Sequence, residues 1–439
     1  MKKIWVISAF AFGVVFFAPR VFAAGESGGG FTPLALVGLA IILFLAKVAG
    51  EICVRLKQPP VLGELFVGIL LGTLILSGVH SLEFLKTDSV ISSLAQLGII
   101  IMLFEIGLET DLQEMRKIGV TAFIVAIVGM AMPMLFGFFV AGYFFPMLSF
   151  WGKVFIGATL AGTSIGISAR VLKDIGKIDT KEAKIILGAA VLDDVVGLLL
   201  MSVIASAVAA TTLGQSISLM AILIILVKAL AFLFGAFLFG HFAMPMVFKT
   251  LERFRSKGAM FIFSAALCFF LAWLAAVVDL APIIGAFAAG LILEEAHFEY
   301  LPDHTKDELI DLLRPLSALF APIFFVSVGL KVDISAFTNP QLIGFAICLL
   351  LAAVVGKLFC AVAAFESGLN RIAIGIGMAP RGELTLVFAS IGMTLMLPNT
   401  QGTLEPVISP ATFGVYVFIA MVTAFLTPPA LKWALSRKT

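Results

Sequence analysis

The sequence is poor in charged residues: Asp, Glu, Lys and Arg make up 13% of its 439 residues, whereas they make up about a quarter of an average soluble domain. Hydrophobic residues, in contrast, reach 61%. An apolar excess of this size does not fit into one hydrophobic core, because single cores stop growing well before this chain length. The scarcity of charge therefore excludes an ordinary soluble protein and predicts an all-α, polytopic membrane protein.

Cysteine and histidine are also scarce, with four of each. The cysteines lie in or beside apolar runs, and no two of them have the spacing of a metal site. This pattern argues against a disulfide framework, a resident metal cluster and a bound cofactor. The sequence contains no recognisable nucleophile–base set, which argues against an enzyme. The formal net charge of +2 points to no nucleic-acid partner.

The first thirty residues begin with a lysine pair, continue with a short apolar stretch and reach Val-Phe-Ala before Ala-Gly. This layout is typical of a cleaved secretory signal and predicts a signal peptide over residues 1–23, ending at Ala23. An uncleaved first helix is the alternative. Arg20 interrupts the stretch, which is short for a membrane span, so cleavage is favoured and the mature N-terminus is expected outside the cytoplasm.

Thirteen hydrophobic runs follow, each long enough to suit a membrane-spanning helix. Lysine and arginine are concentrated in alternate connections, which predicts an outside N-terminus and a cytoplasmic C-terminus. The predicted spans lie near residues 32–49, 60–78, 89–108, 118–145, 151–172, 183–210, 216–246, 258–278, 280–296, 313–331, 340–365, 370–397 and 407–433.

Two sequence patterns recur at one fixed shift. PVLGELFVGILL (60–71) matches PIIGAFAAGLIL (282–293), a shift of 222 residues (282 minus 60). The same shift carries IGLETDL (106–112) onto VGLKVDI (328–334). The second span runs from inside to outside and its partner, the ninth, runs the other way. The sequence therefore predicts inverted repeats, which are typical of secondary transporters.

The fifth and twelfth spans contain residues that interrupt helices. In the fifth span three glycines surround Thr163 and Ser164, and in the twelfth a proline and a glycine flank Arg381 and precede Glu383. Close helix packing through small residues is the alternative, but it does not explain an arginine and a glutamate in mid-span. We therefore predict two broken helices, whose freed backbone groups are tolerated only inside protein or beside a wet cavity.

Asp193 and Asp194 are adjacent in the sixth span, and Lys357 lies in the eleventh. Burial and a neighbouring carboxylate both favour the protonated form of an acid, whereas an ammonium favours its charged form. One aspartate is therefore expected to hold the lysine, and the other to exchange a cation for a proton. Na+ prefers hard oxygen ligands, so a Na+ site is predicted at Asp194, Asp193 and Thr163, with Ser164 nearby. A purely structural Asp–Lys bridge beside a solvated aspartate is the alternative.

For the other ionisable residues at membrane depth, the sequence favours a structural or an access role. Lys228 is expected to be structural, and Glu64 and Glu105 suit either a structural or an access role. Arg381 and Glu383 lie two residues apart, where they can pair with each other or with neighbouring Asp and Lys residues. A structural clasp is the favoured interpretation of this pair.

Several ordered motifs resemble the bacterial monovalent cation/proton antiporters of the NapA and Kef-like branch. They are GATLAGTSIGISARVLKDIG, ILGAAVLDDVVGLLL, FFVSVGLKVD, the Gly-Lys of the eleventh span and GMAPRGE. The resemblance covers nearly the whole chain after residue 30. It implies thirteen helices in two bundles and a homodimer formed through the first bundle. The nucleotide-binding domain of the Kef proteins has no counterpart here, so no nucleotide partner is expected.

The resemblance also implies a division of the chain and roles for its site residues. Asp194 corresponds to the essential ion-binding acid, Asp193 to the acid that pairs with Lys357, and electrogenic exchange is expected. The implied segments are a dimer and scaffold bundle (30–112 and 258–334), a core ion-binding bundle (116–212 and 340–439) and a linker helix (216–246).

The sequence thus predicts an antiporter that exchanges Na+ or Li+ for H+ across the bacterial inner membrane by alternating access. Its partners are expected to be a monovalent cation, protons and membrane lipid. A K+/H+ exchanger of the same architecture is the main alternative, because the size of the ion cavity cannot be read from sequence. An ion channel is the alternative from another class.

Overall fold

The structure is a computed structural model. It describes residues 32–436 apart from 57, 110–118, 179, 213–218, 252–258, 279, 301–303, 334–336, 367 and 399–402. The predicted signal peptide over residues 1–23 lies outside the described residues.

Helices dominate the described chain, because its long apolar runs satisfy their own backbone hydrogen bonds only as helices in a lipid environment. In the first half they are α1 (Pro33–Arg55), α2 (Pro60–Leu76), α3 (Phe84–Thr87), α4 (Ser89–Glu109), α5 (Val120–Phe144), α6 (Phe150–Thr159), α7 (Ile165–Asp174) and α8 (Lys181–Thr212), with a 3-10 turn over His80–Leu82. In the second half they are α9 (Leu219–Leu251), α10 (Ala259–Val277), α11 (Pro282–Tyr300), α12 (His304–Leu330), α13 (Pro340–Leu358), α14 (Cys360–Ala363), α15 (Arg371–Gly377), α16 (Glu383–Thr394) and α17 (Pro410–Ser436).

Within the described residues, eight helical segments are long and apolar enough to cross a membrane, and four shorter apolar helices accompany them. The eight lie in α1, α4, α5, α8, α10, α12, α13 with α14, and α17, and the four are α2, α16 and parts of α9 and α11. The chain is therefore built as a multi-pass membrane protein. The total of thirteen crossings stays a prediction.

The chain divides into two compact units. The first comprises the described residues up to Met102 together with Arg314–Ile334, and the second comprises Leu103–Leu313 and the residues from Ser335 onward. The division into scaffold, linker and core bundles stays a prediction.

In the first unit, glycines let helices approach each other closely. A Cβ atom added to Gly63 on α2 would collide with the backbone of Ala49 on α1. A Cβ added to Gly68 would collide in the same way with α12, where Gly329 lies opposite. Only glycine fits where two helix backbones come this close.

The second unit repeats these contacts with other residues. A Cβ added to Gly285 on α11 would collide with the backbone of Leu271 on α10, and one added to Gly290 would collide with α4 beside Gly107. Each of these residues lies 222 positions from its counterpart in the first unit: 63 and 285, 49 and 271, 68 and 290, 107 and 329. The repeat read from the sequence thus corresponds to equivalent helix contacts.

A short hairpin departs from the all-α prediction. Strands β1 (Met396–Pro398) and β2 (Leu404–Pro406) pair antiparallel, with Leu397 opposite Glu405. The hydroxyl of Thr212, at the end of α8, donates a hydrogen bond to the Met396 carbonyl. Strands of three residues are too short to show an alternating pattern. The sequence therefore predicted the end of one helix and a loop at these residues, and not a hairpin.

Candidate ion-binding site

The second unit contains two interrupted helices, at the places where the sequence predicted breaks. The helix formed by α6 ends at Thr159, and α7 resumes at Ile165. Likewise α15 ends at Gly377 and α16 begins at Glu383. The prediction of breaks in the fifth and twelfth spans is therefore confirmed.

The two breaks lie against each other. The amide of Ser164 donates to the Pro380 carbonyl over 2.9 Å, and the hydroxyl of Ser168 donates to the Gly377 carbonyl over 2.6 Å. A Cβ added to Gly382 would lie 2.6 Å from Ser164 Oγ. Glycine at 382 is thus required for the close approach, and the hydrogen bonds use backbone groups that the breaks release.

Arg381 joins the breaks to a third helix. Its side chain is fully buried. Nη1 donates to the Gly162 carbonyl at 2.7 Å and to the Ala161 carbonyl at 3.3 Å, and Nη2 donates to Ala353 on α13 at 3.0 Å. The hydrogen bonds of the guanidinium therefore run to carbonyls rather than to the neighbouring Glu383, which was the pairing considered from the sequence. A planar guanidinium with several donors suits this task better than any other cationic side chain.

Asp193 and Lys357 form an ion pair between α8 and α13, and both side chains are fully buried. Lys357 Nζ donates to Asp193 Oδ2. Thr163 Oγ1, from the break between α6 and α7, donates to the same oxygen over 2.6 Å. The negative charge of Asp193 is therefore compensated by a full cation and a hydroxyl dipole.

Asp194 has a different environment. Successive residues on a helix point about 100° apart, so its side chain leaves α8 in another direction from that of Asp193. It is 6% exposed, and its Oδ1 atom is buried with no hydrogen-bond partner among the described residues. The charges of Glu383 and Asp193 repel a negative charge on Asp194. A carboxylate in such a place requires a proton or a cation.

Glu383 begins α16 beside this carboxylate. The Ser164 hydroxyl donates to Glu383 Oε2 over 3.3 Å. Since Ser164 and Thr163 each use their hydroxyl hydrogen on an acid, their oxygen lone pairs remain available to a cation. The structure thus brings together the seven residues that the sequence assigned to the ion site or its support: Thr163, Ser164, Asp193, Asp194, Lys357, Arg381 and Glu383.

Three buried hydroxyl residues around this cluster were not predicted from the sequence. Thr423 on α17 accepts a hydrogen bond from the Arg381 amide at 3.0 Å. Thr385 on α16 is fully buried, and its Oγ1 has no partner within the described residues. Ser168 has the contact with Gly377 given above. The sequence contains a signal that could have identified them, because each is a polar residue inside an apolar span.

Glu64, Glu105 and Lys228 lie on α2, α4 and α9. None of them appears among the described hydrogen-bond partners of the two aspartates. Their roles stay predictions.

Comparison with known proteins gives concordant matches. The sodium/hydrogen exchanger transmembrane family matches residues 34–437. The chain is 35% identical to the high-affinity Na(+)/H(+) antiporter NhaS3 of Synechocystis, over 94% of this chain and 93% of that protein. It is 31% identical to the Na(+)/H(+)-K(+) antiporter GerN of Bacillus cereus, over 91% of this chain and 96% of the relative.

A solved structure shares the fold. The sodium proton antiporter MjNhaP1 from Methanocaldococcus jannaschii superposes with a TM-score of 0.73, covering 92% of this chain and 98% of that one. The two sequences are 18% identical.

Proposed function

This chain belongs to the sodium/hydrogen exchanger family of monovalent cation/proton antiporters, and from that premise we propose that it exchanges Na+ or Li+ for H+ at Asp194. One observation carries the proposal. The Oδ1 atoms of both aspartates lack a partner among the described residues, but Asp193 has its charge compensated at Oδ2 by Lys357, whereas Asp194 forms no ion pair among those residues. Asp194 is therefore the carboxylate that binds either a proton or a cation, and the two compete for it.

The ligands proposed for the cation are oxygen atoms around Asp194. Thr163 and Ser164 offer hydroxyl lone pairs, and Asp193 and Glu383 offer carboxylate oxygens. Hard oxygen donors suit an alkali cation. Arg381 fixes the carbonyls of the broken helix, which keeps these ligands in position.

Electrogenic exchange is proposed on the basis of the Asp193–Lys357 pair. A cation bound at Asp194 weakens the attraction between Asp193 and the ammonium, which favours loss of a proton from Lys357. Two protons then move against one cation, and the exchange responds to membrane potential. Alternating access follows if the site opens to one side of the membrane at a time.

K+/H+ exchange is the second candidate, because the relative GerN carries both Na(+) and K(+) in its name. The proposed setting for either activity is a homodimer in the bacterial inner membrane, with the N-terminus outside and the C-terminus in the cytoplasm.

The test is exchange in proteoliposomes under an imposed pH gradient, with Na+, Li+ or K+ added outside and internal pH followed by fluorescence. We expect saturable alkalinisation of the interior with Na+ and Li+, because each entering cation expels internal H+, and a much weaker response to K+. A dominant K+ response supports the second candidate. Cation current without linked proton movement indicates a channel and contradicts both proposals.

A further inference from the structure

The side chain of Lys357 lies against a part of α5 where the backbones of α5 and α13 come close together. A Cβ atom added to Gly129 on α5 would lie 3.3 Å from Lys357 Nζ and 3.6 Å from its Cδ. One turn further along α5, a Cβ added to Gly356 would lie 2.6 Å from the nitrogen of Pro133. The two glycines therefore allow the close crossing of the helices and place the ammonium directly over the α5 backbone.

Pro133 alters the hydrogen bonding of this backbone. It lies inside α5, and a proline has no amide hydrogen. In a regular helix the amide of residue 133 would donate to the carbonyl of Gly129, four residues earlier. The proline therefore deprives the Gly129 carbonyl of its usual helical donor, and both residues are buried. A buried carbonyl in this state is an acceptor for a donor that comes within reach.

The ammonium of Lys357 has donors to spare. An ammonium carries three N–H groups, and Asp193 Oδ2 is the only hydrogen-bond acceptor of Nζ among the described residues. The Lys357 side chain is fully buried. A second acceptor close to Nζ would therefore let the amino group leave Asp193 without losing all its hydrogen bonds in an apolar interior.

We propose that the Gly129 carbonyl is this second acceptor for the Lys357 amino group. The amino group moves to it when a cation at Asp194 weakens the pair with Asp193, so the inference rests on the electrogenic exchange proposed above. A neutral carbonyl stabilises an ammonium less than a carboxylate does. Lys357 in the new position therefore gives up its proton to water more readily, and the neutral amine still donates to the carbonyl. Gly129 and Pro133 are then positioning residues for the exchange.

Two measurements on the purified full chain test the inference: Na+-driven proton movement in proteoliposomes, and the current that a Na+ jump produces on a solid-supported membrane. Pro133→Ala supplies an amide to the Gly129 carbonyl and leaves the space for Lys357 open. We expect this variant to lose most of the current while proton movement persists as one-for-one exchange, because Lys357 keeps its proton. Its melting temperature should stay near that of the wild type, since the regained helix hydrogen bond offsets the lost ring contacts.

A second variant fills the space and leaves the proline in place. The methyl group of Gly129→Ala would meet Lys357 Nζ, and it would also lie 2.9 Å from Cys360 Sγ. The change is therefore made in a Cys360→Ala background and compared with Cys360→Ala alone. We expect the double variant to lose most of the current of that single variant, because the amino group no longer reaches the carbonyl.

Matched controls separate this position from general effects on helices. Pro315→Ala removes another proline from the interior of a helix, α12, and Gly142→Ala adds a methyl group to α5 where an added Cβ meets nothing within 4 Å. Both should give wild-type currents.

The outcomes distinguish this inference from the proposed function. Undiminished currents in Pro133→Ala and in the Gly129→Ala double variant would overturn the inference and leave electrogenic exchange standing. Loss of proton movement together with current in both variants would assign these residues to helix packing and overturn it as well. A wild type that exchanges Na+ for protons without any current would overturn electrogenic exchange and this inference together.

Discussion

At the scale of single residues, Asp193 Oδ2 accepts hydrogen bonds from both Lys357 and Thr163, whereas Asp194 forms no ion pair among the described residues, although the Oδ1 atoms of both acids lack a partner there. The two acids are neighbours in the chain and both are buried, so composition alone does not distinguish them. Their difference comes from the helix geometry, which turns successive side chains by about 100°. One side chain meets α13, and the other meets the start of α16.

The Asp193–Lys357 pair is testable by a double-mutant cycle. Lys357→Gln leaves a buried carboxylate without its cation, and Asp193→Asn leaves a buried ammonium without its anion, so each change should lower the free energy of unfolding by about 3–5 kcal/mol. The double variant should lose less than the sum, because it retains neither lone charge. Thermal unfolding in detergent measures all four proteins. Strictly additive losses would show that the two residues do not interact.

Thr163→Val tests whether a hydroxyl supports the cation site. Valine keeps the shape but removes the oxygen that donates to Asp193, so the apparent KM for the cation should rise several-fold while Vmax changes little. Thr163→Ser retains the hydroxyl and serves as the control. An unchanged KM in Thr163→Val would assign the residue to packing alone.

At the scale of elements, the crossing of the two interrupted helices depends on Gly382. Gly382→Ala places a methyl group against Ser164, and we expect at least a tenfold loss of exchange with normal membrane insertion. Gly166→Ala is the matched control, since Gly166 lies in the first turn of α7, at the other break, and an added Cβ meets nothing within 4 Å. Exchange rates in proteoliposomes compare the two variants. Equal activities would contradict a close crossing at Gly382.

The breaks and the repeated helix contacts could be predicted from the sequence, whereas the partners of Arg381 could not. The breaks were predictable because glycine, proline and charged residues are costly inside an apolar helix and therefore conspicuous. The helix contacts of the repeat were predictable from one fixed shift of 222 residues. The partners of Arg381 were not predictable, because they are the carbonyls of Ala161, Gly162 and Ala353, and every residue type supplies a carbonyl.

The charged side chains of the candidate site were predictable for the same reason as the breaks. Charged residues at membrane depth are rare enough to be recognised individually, and the structure places Asp193 against Lys357 across 164 residues of sequence. The hydroxyls of Thr385 and Thr423 escaped notice because threonine is tolerated in apolar helices, where it can donate to a backbone carbonyl of the preceding turn. Thr423 does so with Ile419 at 2.9 Å.

At the scale of the whole molecule, competition between proton and cation at one carboxylate determines the response to pH. Below the titration range of Asp194 the proton occupies the site, so the apparent KM for Na+ should rise up to about tenfold for each unit that the pH falls. Vmax at saturating Na+ should change much less. Initial rates over a matrix of Na+ concentrations and pH values measure both quantities. A constant KM with a falling Vmax would show that protons act elsewhere.

The most direct test of the account is exchange by Asp194→Asn beside the wild type, in proteoliposomes with matched protein content. Asparagine keeps the shape of the side chain but removes the titratable proton and the anionic ligand. We expect Asp194→Asn to insert and fold normally and to show no Na+-driven proton movement above that of empty liposomes, whereas the wild type should show saturable exchange. Substantial Na+-driven proton movement by Asp194→Asn would contradict the assignment of Asp194 as the exchanging carboxylate.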